Sequence, residues 1–331
     1  MRTSRATRSA VPSPLDTRQR WLVAAKLGLV LVGLALLVRW ALAELAPTDG
    51  GTTSTDLAPV GVFGAVLLNQ AALFAAALRL RATLAAFRVQ LTPAQALAIH
   101  LRSLFYFFFV PLSVGLEVSR YLDIRRIDPA VPAKTLVLAL LLDRVLGLLA
   151  AVAALLGLAY IVLPPSFWAA LDASWLAGGS MVTLAVGGLV LLRRRWRERT
   201  VELLRALKVG SIRLLVPVLL SLLALALVCG SVYAVAAASG WGAGFAQISF
   251  ALSASLLGMA LPLSLFGATL GEPTGVGVMA LLGLAPALAV VLVSLAYVGR
   301  LLGAVQGAAI ELHGGVRALR QPSISRTGER T

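Results

Sequence analysis

Two oppositely charged residues, Asp143 and Arg144, lie side by side within a long apolar run. Ionisable side chains are costly in such a run, and they are usually kept there for binding or transport. An arginine can bind a phosphate through two parallel hydrogen bonds, and an acid can neutralise that arginine. The pattern Arg144-Val-Leu-Gly147 recurs as Arg300-Leu-Leu-Gly303 near the other end of the chain. The two arginines and the acid are therefore the leading candidates for contact with a ligand.

Each of these arginines is preceded by a Pro-Leu-Ser segment, at residues 111–113 and 262–264. Proline and glycine interrupt helices, and a broken helix within a membrane is tolerated only where protein or a polar cavity covers it. The sequence therefore predicts two interrupted helical segments that border one cavity. The predicted breaks are at Pro111, Gly115, Pro262, Gly267 and Gly271.

Charged residues near these breaks are further candidates for substrate contact, namely Glu117, Arg120, Arg102 and Glu272. Each candidate also has a structural interpretation. Arg144 with Glu272, or Asp143 with Arg300, would form an ion pair that fixes helix packing. Arg120 with Glu117 would form a surface pair, and Arg102 would extend to the membrane interface.

The sequence contains few of the residues that metal binding or nucleophilic catalysis requires. The chain has two histidines and one cysteine, with no phosphate-binding glycine loop and no nucleophile–base arrangement. We therefore expect no catalytic residues, no metal site and no cofactor.

Composition places the chain in the membrane. Hydrophobic residues make up 59% and charged residues 13%, against roughly half and a quarter in soluble domains. The net charge of +15 comes from basic residues clustered between apolar runs, as in loops on one face of a membrane. This distribution argues against nucleic-acid binding and favours contact with anionic lipid headgroups at the cytoplasmic face.

The apolar runs predict an all-α polytopic protein with about six full spans. One transmembrane domain, 21–312, lies between basic tails at 1–20 and 313–331 that are predicted to be disordered. A signal peptide is the alternative interpretation of the first run. Both termini are predicted to be cytoplasmic. The predicted spans are 22–43, 58–78, 135–163, 175–192, 214–238 and 287–310.

Two further apolar segments do not fit as full spans. The segment at 93–119 has basic flanks on both sides, so both of its ends are predicted to be cytoplasmic. The segment at 246–285 has no lysine or arginine at either end, so both ends are predicted to lie outside. We interpret them as re-entrant hairpins that enter from opposite faces. Repeat one (21–163) and repeat two (175–312) then have inverted topology, as in many transporters.

These residues also resemble a known family. The stretches Val110-Pro-Leu-Ser-Val-Gly115, Leu142-Asp-Arg-Val-Leu-Gly147 and Leu261-Pro-Leu-Ser followed by Gly271-Glu272 look like its three motifs. It is the flippase-like membrane domain known as the lysylphosphatidylglycerol synthase transmembrane region. The resemblance covers about residues 20–312, without the soluble aminoacyl-transferase domain of the full-length synthases.

The resemblance implies a lipid flippase-like protein of a bacterial inner membrane. We expect it to move a polar-headed, anionic phospholipid through a groove between the two hairpins, and to act without chemical modification of the lipid. The alternative is a membrane enzyme that modifies a lipid or polyprenyl-linked sugar, or the non-catalytic subunit of such an enzyme. A separate lipid-modifying enzyme is an expected partner.

Overall fold

The computed structural model describes residues 58–109, 114–165, 211–259, 264–265 and 268–320, together with the single residue Val32. Within them the chain is helical apart from two paired two-residue strands, which confirms the predicted all-α class. The elements are α1 (Pro59–Ala86), α2 (Pro93–Phe109), α3 (Val114–Ile127), α4 (Ala133–Val162), α5 (Ser211–Ala238), α6 (Phe245–Gly258), β1 (Ser264–Leu265), β2 (Ala268–Thr269), α7 (Gly271–Leu281) and α8 (Pro286–Arg320).

Four of these helices, α1, α4, α5 and α8, are long and apolar enough to cross a membrane. On α4, large apolar side chains at 141, 145, 149, 152, 156 and 160 are exposed along one face. That spacing of three and four residues forms a continuous stripe, which suits contact with lipid chains. The predicted spans at 22–43 and 175–192 lie outside the described residues.

Two boundaries differ from those predicted. Helix α1 was expected to end near residue 78, but it continues to Ala86 because Arg79 to Ala86 contains neither glycine nor proline. Its end is marked by Arg88, which has a positive φ of 65°. Helix α8 continues to Arg320, so residues 313–320 are helical although the sequence analysis assigned them to a disordered tail.

The two interrupted segments each form a pair of packed helices, α2 with α3 and α6 with α7. Neither segment is one continuous span, as the proline and glycine positions predict. Gly115 and Gly271 lie in the first turns of α3 and α7. Pro111, Pro262 and Gly267 lie outside the described residues.

Helices α1 and α5 pack closely in opposite directions. A Cβ built on Gly61 would lie 2.7 Å from the Cβ of Ala238, and one on Gly64 would lie 3.8 Å from that of Ala234. At the start of the pair, the backbone N–H of Ala58 donates to Ser239 Oγ at 3.3 Å. Residue numbers that rise along one helix fall along the other, so α1 and α5 are antiparallel.

The same reasoning gives the directions of α4 and α8. Arg79 and Thr83 of α1 contact Gly147 and Asp143 of α4, so α4 is antiparallel to α1. Helix α8 runs in the same direction as α1, because Asn69 of α1 lies against Gly299 and Leu73 lies four residues further on against Gly303.

The two halves exchange contacts through their hairpins. Helix α8 packs on α2, and Gly307 lies so close to the backbone carbonyl of Leu101 that no larger residue would fit. Helix α4 in turn packs on α6. Each long charged helix is therefore held against the first hairpin helix of the other half.

Candidate functional site

A cavity of about 330 Å³ lies where the halves meet, and residues from α1 to α6 and from α8 line it. Its apolar lining includes side chains from both hairpins, such as Leu116 and Met259. Its charged lining consists of Arg79, Arg120, Arg144, Arg300, Asp143 and Glu117. The structure thus brings both predicted arginines of the repeated motif to one cavity.

Asp143 is the most completely neutralised acid of the cavity, and its side chain is fully buried. Arg79 donates from Nε to Oδ1 at 2.9 Å and from Nη2 to Oδ2 at 3.0 Å. Arg120 adds a third contact, from Nη1 to Oδ2 at 3.3 Å. The expected structural pair of Asp143 with Arg300 is therefore wrong, because Arg79 and Arg120 occupy both carboxylate oxygens.

The glycine of the first Arg-x-Leu-Gly motif explains how Arg79 reaches that acid. A Cβ on Gly147 would lie 2.9 Å from Nη1 of Arg79, so the absence of a side chain at this position lets the guanidinium pack directly against α4. Arg79 was not predicted as a site residue, because the span at 58–78 was expected to end just before it. A usable signal was the absence of any helix breaker between Leu78 and Ala86.

Arg120 is also buried, so its interpretation as a surface residue is wrong. Its Nε donates to Ser103 Oγ at 3.1 Å, and its Nη2 lies 3.0 Å from Nδ1 of His100. A guanidinium can only donate, so His100 Nδ1 accepts and the ring proton is on the other nitrogen. Residues of α2 and α4 thus fix Arg120 from two sides.

Glu117 is held much more loosely than Asp143. Its Oε1 lies 3.9 Å from Nη1 of Arg144 and 4.0 Å from Nη1 of Arg120, distances too long for hydrogen bonds. Its Oε2 is buried and has no hydrogen-bond partner among the described residues. The acid beside Arg144 is Glu117, on the first hairpin. The expected structural pair of Arg144 with Glu272 is therefore wrong, because Glu272 pairs with Arg300.

Arg300 is bound to the second hairpin. Its Nη2 donates to Oε1 of Glu272, its Nη1 lies 3.3 Å from Met259 Sδ, and its guanidinium lies 5.6 Å from the centre of the Tyr297 ring. The other oxygen of Glu272 accepts from the backbone N–H and hydroxyl of Thr269, at 2.6 and 2.8 Å. Glu272 does not line the cavity itself, but it binds Arg300, which does.

Arg102, like Glu272, is a predicted contact residue that does not belong to the cavity lining. Its Nη1 lies 3.3 Å from Asp123 Oδ1 and 3.9 Å from Glu311 Oε2. Tyr106 donates to the same glutamate at 3.1 Å. These residues connect the first hairpin to the end of α8.

One further polar residue of the lining, Asn69, adds a hydrogen-bond acceptor to the cavity. Asn69 is buried, and its Oδ1 has no hydrogen-bond partner in the described part of the chain. Its signal in the sequence was only a mid-span amide, which is common in membrane helices for packing alone.

The charges of the cavity favour an anion. With Glu272 included, four arginines face three acids. Among the described residues the arginines therefore exceed these acids by one, and a phosphate diester carries one negative charge. Arginine binds such a group with paired, charge-assisted hydrogen bonds.

The comparisons with known proteins agree with the motifs. No curated protein and no solved structure matches the chain significantly. The family model described as "Lysylphosphatidylglycerol synthase TM region" matches residues 23–301. Together with the four long apolar helices, this match establishes a multi-pass membrane protein. The chain belongs to the family of lysylphosphatidylglycerol synthase transmembrane regions.

Proposed function

We propose that this protein is a lipid flippase-like transporter that moves an anionic phospholipid across its membrane. The observation that carries the proposal is the cavity between the two helical hairpins, with four arginines and two acids in its lining. A phosphate that leaves water needs opposite charge and hydrogen-bond donors, and this cavity provides both.

The size of the cavity suits a headgroup better than a whole lipid. Ligand pockets usually range from about 300 to 1,000 Å³, and this cavity of about 330 Å³ is at the small end. We propose that the polar headgroup passes through the cavity while the acyl chains stay in the bilayer. The exposed apolar face of α4 then contacts the lipid phase.

We further propose that the halves form an inverted repeat with two re-entrant hairpins. Helices α1 and α5 hold equivalent places in the two halves and run antiparallel. Glu117 and Glu272 both lie in the first turn of a second hairpin helix, and each is beside an arginine of the repeated motif. Such repeats allow one central site to open alternately to two faces.

The distribution of basic residues supports an orientation with both termini in the cytoplasm of a bacterial inner membrane. We propose transport without chemical change of the lipid. A separate enzyme would then make or modify the headgroup, and anionic lipids would contact the basic cytoplasmic loops.

Purified protein in liposomes tests the proposal. A fluorescent phosphatidylglycerol is loaded, its accessibility to a membrane-impermeant quencher is followed, and the recovered lipid is analysed by mass spectrometry. We expect faster translocation than in protein-free liposomes, with an unchanged headgroup. An altered headgroup would support the enzyme interpretation instead. Neither translocation nor alteration would support a non-catalytic partner.

The arginines give a residue-level test. Arg144→Lys and Arg300→Lys keep the charge but lose the two-pronged hydrogen bonding to phosphate. We expect each variant to reduce the translocation rate by about tenfold or more, which corresponds to about 1.4 kcal/mol. The folded yield of each variant is measured alongside. Wild-type rates in both would remove these arginines from the mechanism.

A further inference from the structure

The two hairpin glutamates occupy equivalent places but are bonded differently. Both oxygens of Glu272 are used, one by Arg300 and the other by Thr269. Glu117 has only ion-pair distances of 3.9 and 4.0 Å, and its Oε2 has no partner among the described residues although it is buried. A buried carboxylate oxygen without a donor is costly, so its persistence at the cavity calls for a use.

We propose that Glu117 is a proton-binding site and that it takes up a proton when a phosphate monoanion binds in the cavity. The proposal rests on the anion-binding function proposed above. It adds the proton as a second ligand, and it names the atom that receives it, the unpartnered Oε2.

The charged groups that act on Glu117 are Arg79 on α1, Arg120 on α3, and Asp143 and Arg144 on α4. His100 on α2 and Arg300 on α8 line the same cavity. Asp143 already holds Arg79 and Arg120 through hydrogen bonds. Arg144 also faces Glu117, with its Nη1 3.9 Å from Oε1 of the glutamate.

An anion bound at Arg144 favours the protonated form of Glu117. The entering phosphate competes for the guanidinium, and two negative groups then lie close together in a medium that screens charge poorly. A proton from solution adds to Oε2, the repulsion is removed, and the new O–H donates to a phosphate oxygen. One negative and one positive charge enter together, so the net charge of the cavity is unchanged and no other bond is made or broken.

Protonation of Glu272 would cost more free energy than protonation of Glu117. Its protonation would break the bond to Arg300 or the two bonds from Thr269. The unequal bonding of the two glutamates therefore assigns the proton site to the first hairpin.

Thermodynamic linkage between proton binding and anion binding fixes the sign of the pH dependence. If binding an anion promotes protonation, protonation must strengthen anion binding by the same factor. Anion affinity then weakens as pH rises. The slope approaches tenfold per pH unit where Glu117 is ionised in the free protein and protonated in the complex.

The test uses the full chain in a neutral detergent and a short-chain phosphatidylglycerol as the probe, titrated by calorimetry between about pH 5.5 and pH 8.5. The charge of the probe is constant over this range, since its phosphate is a diester. Repeating each titration in two buffers with different heats of ionisation counts the protons taken up. We expect up to one proton per lipid and an affinity that falls as pH rises.

Three variants separate the proton site from its surroundings. In Glu117→Gln, which resembles the protonated acid, we expect no proton uptake and an affinity at high pH equal to that of the wild type at low pH. Glu272→Gln and His100→Gln should keep the pH dependence. Melting temperatures confirm that the variants are folded.

The outcomes distinguish this inference from the proposed function. Lipid binding without pH dependence or proton uptake would overturn the proton site and leave the anion site standing. Proton uptake that survives in Glu117→Gln would also overturn it, and its loss in His100→Gln would assign the proton to the histidine. A wild-type protein that binds no phosphatidylglycerol at any pH would overturn both.

Discussion

The helical hairpins of the two halves hold equivalent glutamate–arginine pairs, but the pair in the second half is bonded more tightly. Each places a glutamate in the first turn of its second helix, facing an arginine of the Arg-x-Leu-Gly motif. In the second half, Glu272 and Arg300 are directly hydrogen-bonded and further fixed by Thr269 and Met259. In the first half, Glu117 and Arg144 are 3.9 Å apart.

The residues before the two arginines account for part of this difference. Asp143 precedes Arg144 and attracts both Arg79 and Arg120, so positive charge is concentrated in the first half. Gly299 precedes Arg300, and its place is filled by the neutral amide of Asn69. A repeated pattern of charges thus gives one directly hydrogen-bonded ion pair, Glu272 with Arg300, and one with a longer separation, Glu117 with Arg144.

The largest expected effect follows from removing the acid that exists only in the first half. Asp143→Ala leaves the buried guanidinium of Arg120 and the half-buried one of Arg79 without their shared partner. Breaking such a buried cluster costs about 3–5 kcal/mol. We expect a large fall in folded yield and melting temperature in detergent.

Asp128→Ala is the matched control for that variant, because Asp128 lies on the surface and accepts one exposed backbone hydrogen bond from Ala130. It should lower the free energy of unfolding by less than about 1 kcal/mol. Equal melting temperatures for Asp143→Ala and the wild type would show that the cluster does not stabilise the first half.

The sequence predicted the class of the protein, four of the described helices, the division of both hairpin segments and the two arginines of the repeated motif among the four that line the cavity. These features depend on local composition and on repetition along the chain. The partners of each charge depend on three-dimensional packing that composition does not encode. Asp143 is a clear case, since its main partner, Arg79, is 64 residues away and reaches it past Gly147. Burial of Arg120 was missed for the same reason.

A second prediction compares the two glutamates directly. Glu272→Gln removes the charge that holds Arg300, and hydrogen bonds to charged groups contribute about 1.5–3 kcal/mol. We expect a loss of stability in that range. Glu117→Gln should change the free energy of unfolding by less than about 1 kcal/mol, because Glu117 accepts no hydrogen bond from Arg144 or Arg120 at the observed distances.

Chemical or thermal unfolding of both variants in the same detergent measures this contrast. An equal loss of stability in both would contradict the distinction between a tight and an open pair. A larger loss in Glu117→Gln would reverse it, and would place the open pair in the second half.

The smallest expected effect concerns the packing that keeps the second pair tight. Gly271 directly precedes Glu272, and a Cβ there would lie 2.5 Å from both Met259 Cγ and the carbonyl oxygen of Ser255. Gly271→Ala should push α7 away from α6 and lengthen the contact of Glu272 with Arg300. Overpacking costs about 1–3 kcal/mol, and the gain of about 1 kcal/mol on replacing a helical glycine offsets part of it. We therefore expect a net loss of about 1 kcal/mol.

Gly277→Ala, in the same helix but with no atom within 4 Å of the new Cβ, should be neutral or slightly stabilising. If Gly271→Ala melts at or above the temperature of Gly277→Ala, then close packing of α6 on α7 is not what makes the second pair tighter than the first.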